Sequence, residues 1–112
     1  MKLLNGAMGL VELDKIVKYL INPEHPERAG KARFFSSLGF EPEEWQVLAD
    51  ALLGVAIEGD VSKIVESSHG SKYIVDGVLR GPNGRMAMVR TVWIKEPGNE
   101  RPTLVTAYPR EA

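Results

Sequence analysis

The chain has no cysteine among its 112 residues. That excludes a disulfide framework and a thiolate metal centre, and it suits a reducing compartment, so a cytoplasmic location is expected. Histidine is nearly as scarce: the two residues, His25 and His69, are far apart and lack a neighbouring carboxylate pattern. No metal site and no cofactor are therefore expected. No apolar run approaches the roughly 20 residues of a membrane span. The net charge of −1 is too small to demand a nucleic acid or a membrane surface by itself. Internal repeats and low-complexity linkers are missing too. The N-terminal stretch, residues 1–11, is broken by Asn5, Gly6 and Gly9. It lacks the sustained core of a signal peptide and reads as a short strand or arm.

What is present fits one domain spanning residues 1–112, with its core over about 13–109. The charge is unevenly spread. Residues 41–66 hold seven acidic side chains and one Lys, whereas residues 72–110 hold seven basic and three acidic ones. A basic C-terminal half beside an acidic middle reads either as an anion-binding sheet or as two solvated faces that partly neutralise each other.

Leu13, Ile16, Val17 and Leu20 recur at helical spacing, which predicts a helix over 12–21. Asn22-Pro23 stops it, because the residue before proline avoids the α region. A second helix is expected over 28–38, closed by Gly39. A third starts near Pro42 and carries Trp45, Leu48, Ala49, Leu52 and Ala56 on one side, to about Ile57. The period then changes to two, with strands expected over 61–66, 71–80, 85–95 and 102–108. Helices first and strands second give an α+β fold: about three N-terminal helices packed on one face of a 3–4-stranded antiparallel meander sheet.

Asn83-Gly84 is a strong hairpin signal. Taken as a two-residue loop, it sets Leu79 opposite Met88, Gly77 opposite Arg90, Val75 opposite Val92 and Tyr73 opposite Ile94. That face would meet the helices. The other face would carry Arg80, Asp76 opposite Thr91, and Ile74 opposite Trp93, with Arg85 at the turn. The parity of the loop near Gly98 decides whether Leu104, Thr106 and Tyr108 join the Thr91 face or turn to the helices.

The candidate chemistry follows from these placements. His25 stands in a rigid turn between Pro23 and Pro26, and histidine is the natural general base near neutral pH. Lys31, with Arg28 beside it, sits near the start of a helix, where backbone N–H groups favour anions. Arg85, Arg90, Thr91, Thr106 and Tyr108 are groups that bind phosphate and steady a developing negative charge. Arg80 shares their predicted face, and Trp93 offers a ring on which a base stacks. Each also has a plain structural reading, with Trp93 and Tyr108 as core aromatics, the threonines as strand formers, and both histidines as turn residues.

Several motifs resemble a family of small, largely uncharacterised bacterial domains that occur alone and at the ends of large toxin or phage-associated proteins. They are Tyr19-Leu20-Ile21-Asn22-Pro23-Glu24-His25-Pro26, Gly30-Lys31-Ala32-Arg33-Phe34-Phe35, Leu38-Gly39-Phe40, Gly81-Pro82-Asn83-Gly84-Arg85, Thr91-Val92-Trp93 and Leu104-Val105-Thr106-Ala107-Tyr108-Pro109. Such domains look similar to the barnase–EndoU–colicin–RelE nuclease superfamily. The resemblance implies a metal-independent ribonuclease with His25 as general acid or base. Lys31 and Arg85 would contact phosphate, Thr91 and Thr106 would position it, and Tyr108 would touch the phosphate or leaving group. Two functions follow as expectations. One is a toxin-like RNA-binding domain with metal-independent endoribonuclease activity. The other is a non-catalytic module that engages a protein partner of the immunity or antitoxin type through the sheet face carrying Trp93.

Overall fold

In the computed structural model the described residues are 2–3, 6–12 and 29–110. The elements run α1 (Ala29–Ser37), α2 (Trp45–Glu58), β1 (Asp60–Ser67), β2 (Gly70–Arg80), β3 (Met86–Lys95) and β4 (Thr103–Pro109). The four strands form one antiparallel meander in the order β1-β2-β3-β4. Two α-helices are therefore described where about three were expected. The expected helix over 12–21 lies, from Leu13 onward, outside the described residues. No described helix is long and apolar enough to cross a membrane.

Helix α1 stops where the sequence places its glycine. Gly39 adopts φ +95°. Its N–H donates to the Ser36 carbonyl, and the Phe40 N–H reaches back to the Phe35 carbonyl. These two bonds, with the Phe35 and Phe40 rings packed edge to face at 6.4 Å, make a Schellman stop. Pro42–Glu44 forms a 3-10 turn that leads into α2. Helix α2 then buries Leu48, Ala49, Leu52, Val55 and Ala56. In the N-terminal stretch, expected as a short strand or arm, the described residues form a 3-10 turn at Gly6–Met8, after which Leu10 makes an isolated parallel bridge to Thr103.

The register differs from the expected one by a single residue. The hairpin loop is Pro82-Asn83-Gly84, closed by the Gly81 N–H donating to the Arg85 carbonyl at 2.8 Å. Gly84, at φ +87°, is the left-handed third residue that such loops require. The reason lies outside the hairpin. Its tip docks on the end of α1, where the Asn83 amide donates to the Ser37 carbonyl at 3.0 Å and the Asn83 N–H to the Leu38 carbonyl at 3.3 Å. Gly81 sits so close beneath Leu38 that a Cβ there would lie 1.9 Å from the Leu38 carbonyl oxygen.

The extra loop residue reverses β3 relative to β2. Leu79 faces Ala87, Gly77 faces Val89, Val75 faces Thr91, Asp76 faces Arg90 and Tyr73 faces Trp93. The β2 assignment stands, with Val75 and Leu79 buried against the helices. On β3 it is Val89, Thr91 and Trp93 that turn inward, while Arg90 and Val92 turn outward. A bulge in the β3–β4 pairing settles the remaining parity. It lets Leu104 and Ala107 both face the core, whereas Thr106 and Tyr108 face outward opposite Val92 and Arg90.

The core gathers Phe35 and Leu38, Leu48, Leu52 and Val55, and Val75, Leu79, Val89, Trp93, Leu104 and Ala107. Complete burial of each large side chain stabilises by about 1.5–3 kcal/mol. The one fully buried hydroxyl among the described residues is paired: Trp93 Nε1 donates to Thr91 Oγ1 at 2.7 Å, and Thr91 Oγ1 donates to the Val75 carbonyl at 2.8 Å.

Candidate functional site: an arginine–carboxylate cluster on the outer sheet face

The outer face of β2, β3 and β4 brings three charged side chains together. Asp76 and Arg90 are cross-strand partners. The Arg90 guanidinium grips the carboxylate at both oxygens, with Nε to Oδ1 at 2.8 Å and a terminal nitrogen to Oδ2 at 3.0 Å. Arg110, just past the end of β4, places its Nε 3.2 Å from Oδ2. The Asp76 side chain is 10% exposed, against 32% for Arg90 and 43% for Arg110. The carboxylate is thus the buried anchor, and the guanidinium edges remain accessible to water.

The protonation states follow from this geometry. The Arg90 hydrogen bonds hold the Asp76 carboxyl below its usual range; burial opposes them, while the charges of Arg90 and Arg110 and a hydrogen bond from Ser62 add to the lowering. Arg90 is raised above its ordinary value, chiefly by its hydrogen bond to Asp76, with Tyr108 contributing. Tyr108 is opposite Arg90 across the strand pair, and its side chain hydrogen-bonds to it. Thr106, opposite Val92, completes a half-buried row. Two guanidiniums share one carboxylate here, so the cluster keeps a surplus of positive charge and donors suited to phosphate oxygens.

The expected site residues separate into groups. Thr106 and Tyr108 lie on this outer face beside Arg90. Thr91 and Trp93 do not: both are fully buried on the opposite face, and the one-residue register shift put them there. Their hydroxyl and indole N–H serve the core network, so the expected contact of Trp93 with a base or a partner is corrected. Arg85 is exposed at the hairpin turn, its N–H bonded to Asn83 Oδ1 at 3.0 Å. Arg80 is exposed near the end of β2, four residues along from Asp76, a distance of roughly 13 Å on an extended strand. Lys31 belongs to α1, but its side chain is outside what is described, and so is all of His25. His69 is exposed in the β1–β2 turn, where its N–H meets Ser67 Oγ at 3.2 Å. Sequence reasoning missed Asp76 and Arg110 as members of the cluster. The available signal was a lone carboxylate in a strand of a basic segment, which needs a cationic cross-strand partner.

No curated protein sequence matches the chain. Among solved structures, it is similar to a chain of the "Contact-dependent growth inhibition toxin - immunity protein complex from Klebsiella pneumoniae 342". The TM-score is 0.77 at 17% identity, covering 96% of this chain and 98% of that one. At that identity the likeness concerns the fold. The sequence itself matches the family described as "Domain of unknown function (DUF6883)" over residues 2–111, and the chain belongs to that family.

Proposed function

We propose that the chain is a toxin-type domain of the barnase–EndoU–colicin–RelE kind, which binds RNA on its outer sheet face and cleaves it without a metal ion. The observation that carries this reading is the pair of guanidiniums, Arg90 and Arg110, held side by side by Asp76 next to Tyr108. The fold likeness to a chain of a toxin–immunity complex supports it. In this mechanism a general base removes the ribose 2′-hydroxyl proton, and the oxygen attacks the adjacent phosphorus. The bond to the 5′-oxygen breaks, leaving a 2′,3′-cyclic phosphate, and that oxygen takes up a proton. Arg90 and Arg110 stabilise the added charge on the phosphoryl oxygens. Tyr108 donates to one of them and Thr106 positions the ribose. His25 is the proposed base, with Lys31, Arg80 and Arg85 holding flanking phosphates.

The test is cleavage of labelled RNA in excess chelator. The wild type is expected to yield cyclic phosphate ends. Removing one charge-stabilising donor typically costs about 100-fold or more in rate, and Arg90→Ala and Arg110→Ala are expected to lose that much. A wild type that neither binds nor cuts any RNA rejects the proposal. It would leave the second reading, a non-catalytic module for an immunity-type protein partner, which the near-neutral charge of −1 favours.

A further inference from the structure

Strand β3 turns every second side chain inward, and Val89, Thr91 and Trp93 are buried there. The next inward position is the last of the strand, and it is a lysine. Lys95 is 7% exposed, the one charged residue among the described residues that is buried. Lysine is almost never buried unless it is paired. Asp76 shows the usual arrangement, with two guanidiniums on its carboxylate. Among the described residues the Lys95 ammonium makes no hydrogen bond and no ion pair. It lies 4.9 Å from the centroid of the Tyr73 ring. A ring face replaces only part of the hydration that a buried ammonium gives up.

Lys95 and Tyr73 line a cleft of about 300 Å³ at the end of the sheet away from the hairpin tip. Ser71 is the cross-strand neighbour of both Lys95 and Glu66, so these three share the inward face. Ser71 Oγ donates to Glu66 Oε2 at 2.7 Å, which fixes that carboxylate on the row. The two turns that flank the cleft are tied by their own hydrogen bonds. Ser67 Oγ donates to the Gly70 carbonyl at 3.0 Å, and the Asn99 N–H donates to the Glu96 carbonyl at 2.9 Å. Gly70 packs so closely on the end of β3 that a Cβ there would collide with the Lys95 carbonyl.

The charges choose the ligand. The buried ammonium calls for an anion. Glu66 and Glu96 line the same cleft, both exposed, and neither has an ion-pair partner among the described residues. A simple anion approaching Lys95 is repelled by both glutamates. A simple cation drawn in by the glutamates is repelled by Lys95. A small molecule with one charge of each sign satisfies both. At about 30 Å³ per water the cleft has room for roughly ten water-sized groups, the scale of a free amino acid.

We propose that this cleft binds a free α-amino acid, with its carboxylate on Lys95 Nζ and its ammonium on Glu66 and Glu96. Ser67, Ser71 and Asn99 also line the cleft, so a small polar side chain such as that of glutamine suits it. The site is on the face opposite the arginine cluster, and the inference is independent of the RNA reading.

A heteronuclear NMR titration of the full chain with L-glutamine tests it. Backbone amides of residues 66–73 and 95–99 are expected to shift and saturate, with a Kd of about 1 mM for a ligand of this size. Acetate and ethylamine, each carrying half of the charge pattern, are expected to bind at least tenfold more weakly. Lys95→Met keeps the length of the side chain and removes the charge. It is expected to melt no lower than the wild type, since the lost ammonium had no counter-charge, and to bind glutamine at least tenfold more weakly. Glu66→Gln retains an acceptor for Ser71, and Glu96→Gln changes an exposed side chain; each is expected to weaken binding several-fold without affecting the melt. No saturable shift in the wild type overturns the proposal. So does acetate binding as tightly as glutamine, which would make the cleft a simple anion site. Glutamine binding that survives Lys95→Met overturns it, and a Lys95→Met protein that melts well below the wild type does so too, because the ammonium would then serve the fold.

Discussion

Replacing Asp76 with asparagine keeps the shape of the outer-face cluster and removes its one negative charge. The cost can be bracketed from exposure. Exposed ion pairs contribute up to about 1 kcal/mol, while breaking a buried pair costs about 3–5 kcal/mol. Asp76 is at the buried end of that range, at 10% exposed. Its partners are not, and they regain water when the carboxylate goes. The asparagine oxygen can still accept one hydrogen bond, but its amide meets guanidinium donors. A loss of about 1–2 kcal/mol near neutral pH is expected, or roughly 5–10 °C in Tm for a domain of this size. The pH dependence gives the sharper check. The folded carboxyl sits below the unfolded value of about 3.9, so its stabilisation is fully present above that value and fades as pH falls through the folded pKa. Denaturant melts of the two proteins should therefore differ at pH 7 and converge in acid. An equal stability at pH 7, or a gap that persists undiminished in strong acid, would refute the argument. The same variant separates positioning from simple charge. If Asp76 orients the guanidiniums for phosphate, Asp76→Asn binds RNA more tightly, having lost a repelling charge, yet cuts it more slowly.

The core network makes its own predictions. Thr91→Val is nearly isosteric but leaves the buried Trp93 Nε1–H without its acceptor; a loss of about 1–3 kcal/mol is expected in denaturant melts followed by tryptophan emission. RNA cleavage by this variant, measured below its melting range, should match the wild type, because Thr91 is on the face away from the cluster. Gly81→Ala should be more damaging than any surface change. Its methyl would meet the Leu38 carbonyl, a backbone group that cannot swing aside, and a loss above about 3 kcal/mol or failure to fold is expected. Wild-type stability in Gly81→Ala would show that the hairpin tip is not fixed against α1.

Much of the fold can be read from the sequence because its local signals agree. Gly39 closes α1, the apolar spacing of 45–56 sets α2, and the change to a period of two places each strand to within about two residues. Each of these elements is fixed by contacts a few residues apart. Helix α2 needed no knowledge of the sheet to be recognised, only that Leu48, Leu52 and Ala56 recur on one side. The docking of Asn83 on α1 is different in kind. It joins residues 46 positions apart, and nothing in the turn itself announces that its asparagine is already committed to a helix end.

That commitment decides the site. Asn-Gly with free choice of turn closes a two-residue loop, because both residues tolerate positive φ. With Asn83 bound to Ser37 and Leu38, the left-handed residue is Gly84 at the third position, the loop gains a residue, and all of β3 reverses. A side-chain period of two turns this small change into exchanged roles: Thr91 and Trp93 leave the candidate surface for the core, and Arg90 replaces them. The β4 bulge then has a clear purpose. Without it, the reversed β3 would require either Leu104 or Ala107 to face outward, or Tyr108 to face inward away from Arg90. One inserted residue lets the strand bury both apolar side chains and still present Thr106 and Tyr108 to the arginines. The composition of the site was therefore nearly legible, since basic and hydroxyl residues do gather on one face. Which of them gather was decided by two single-residue shifts, one imposed by a helix end and one by the demands of packing on both sides of β4.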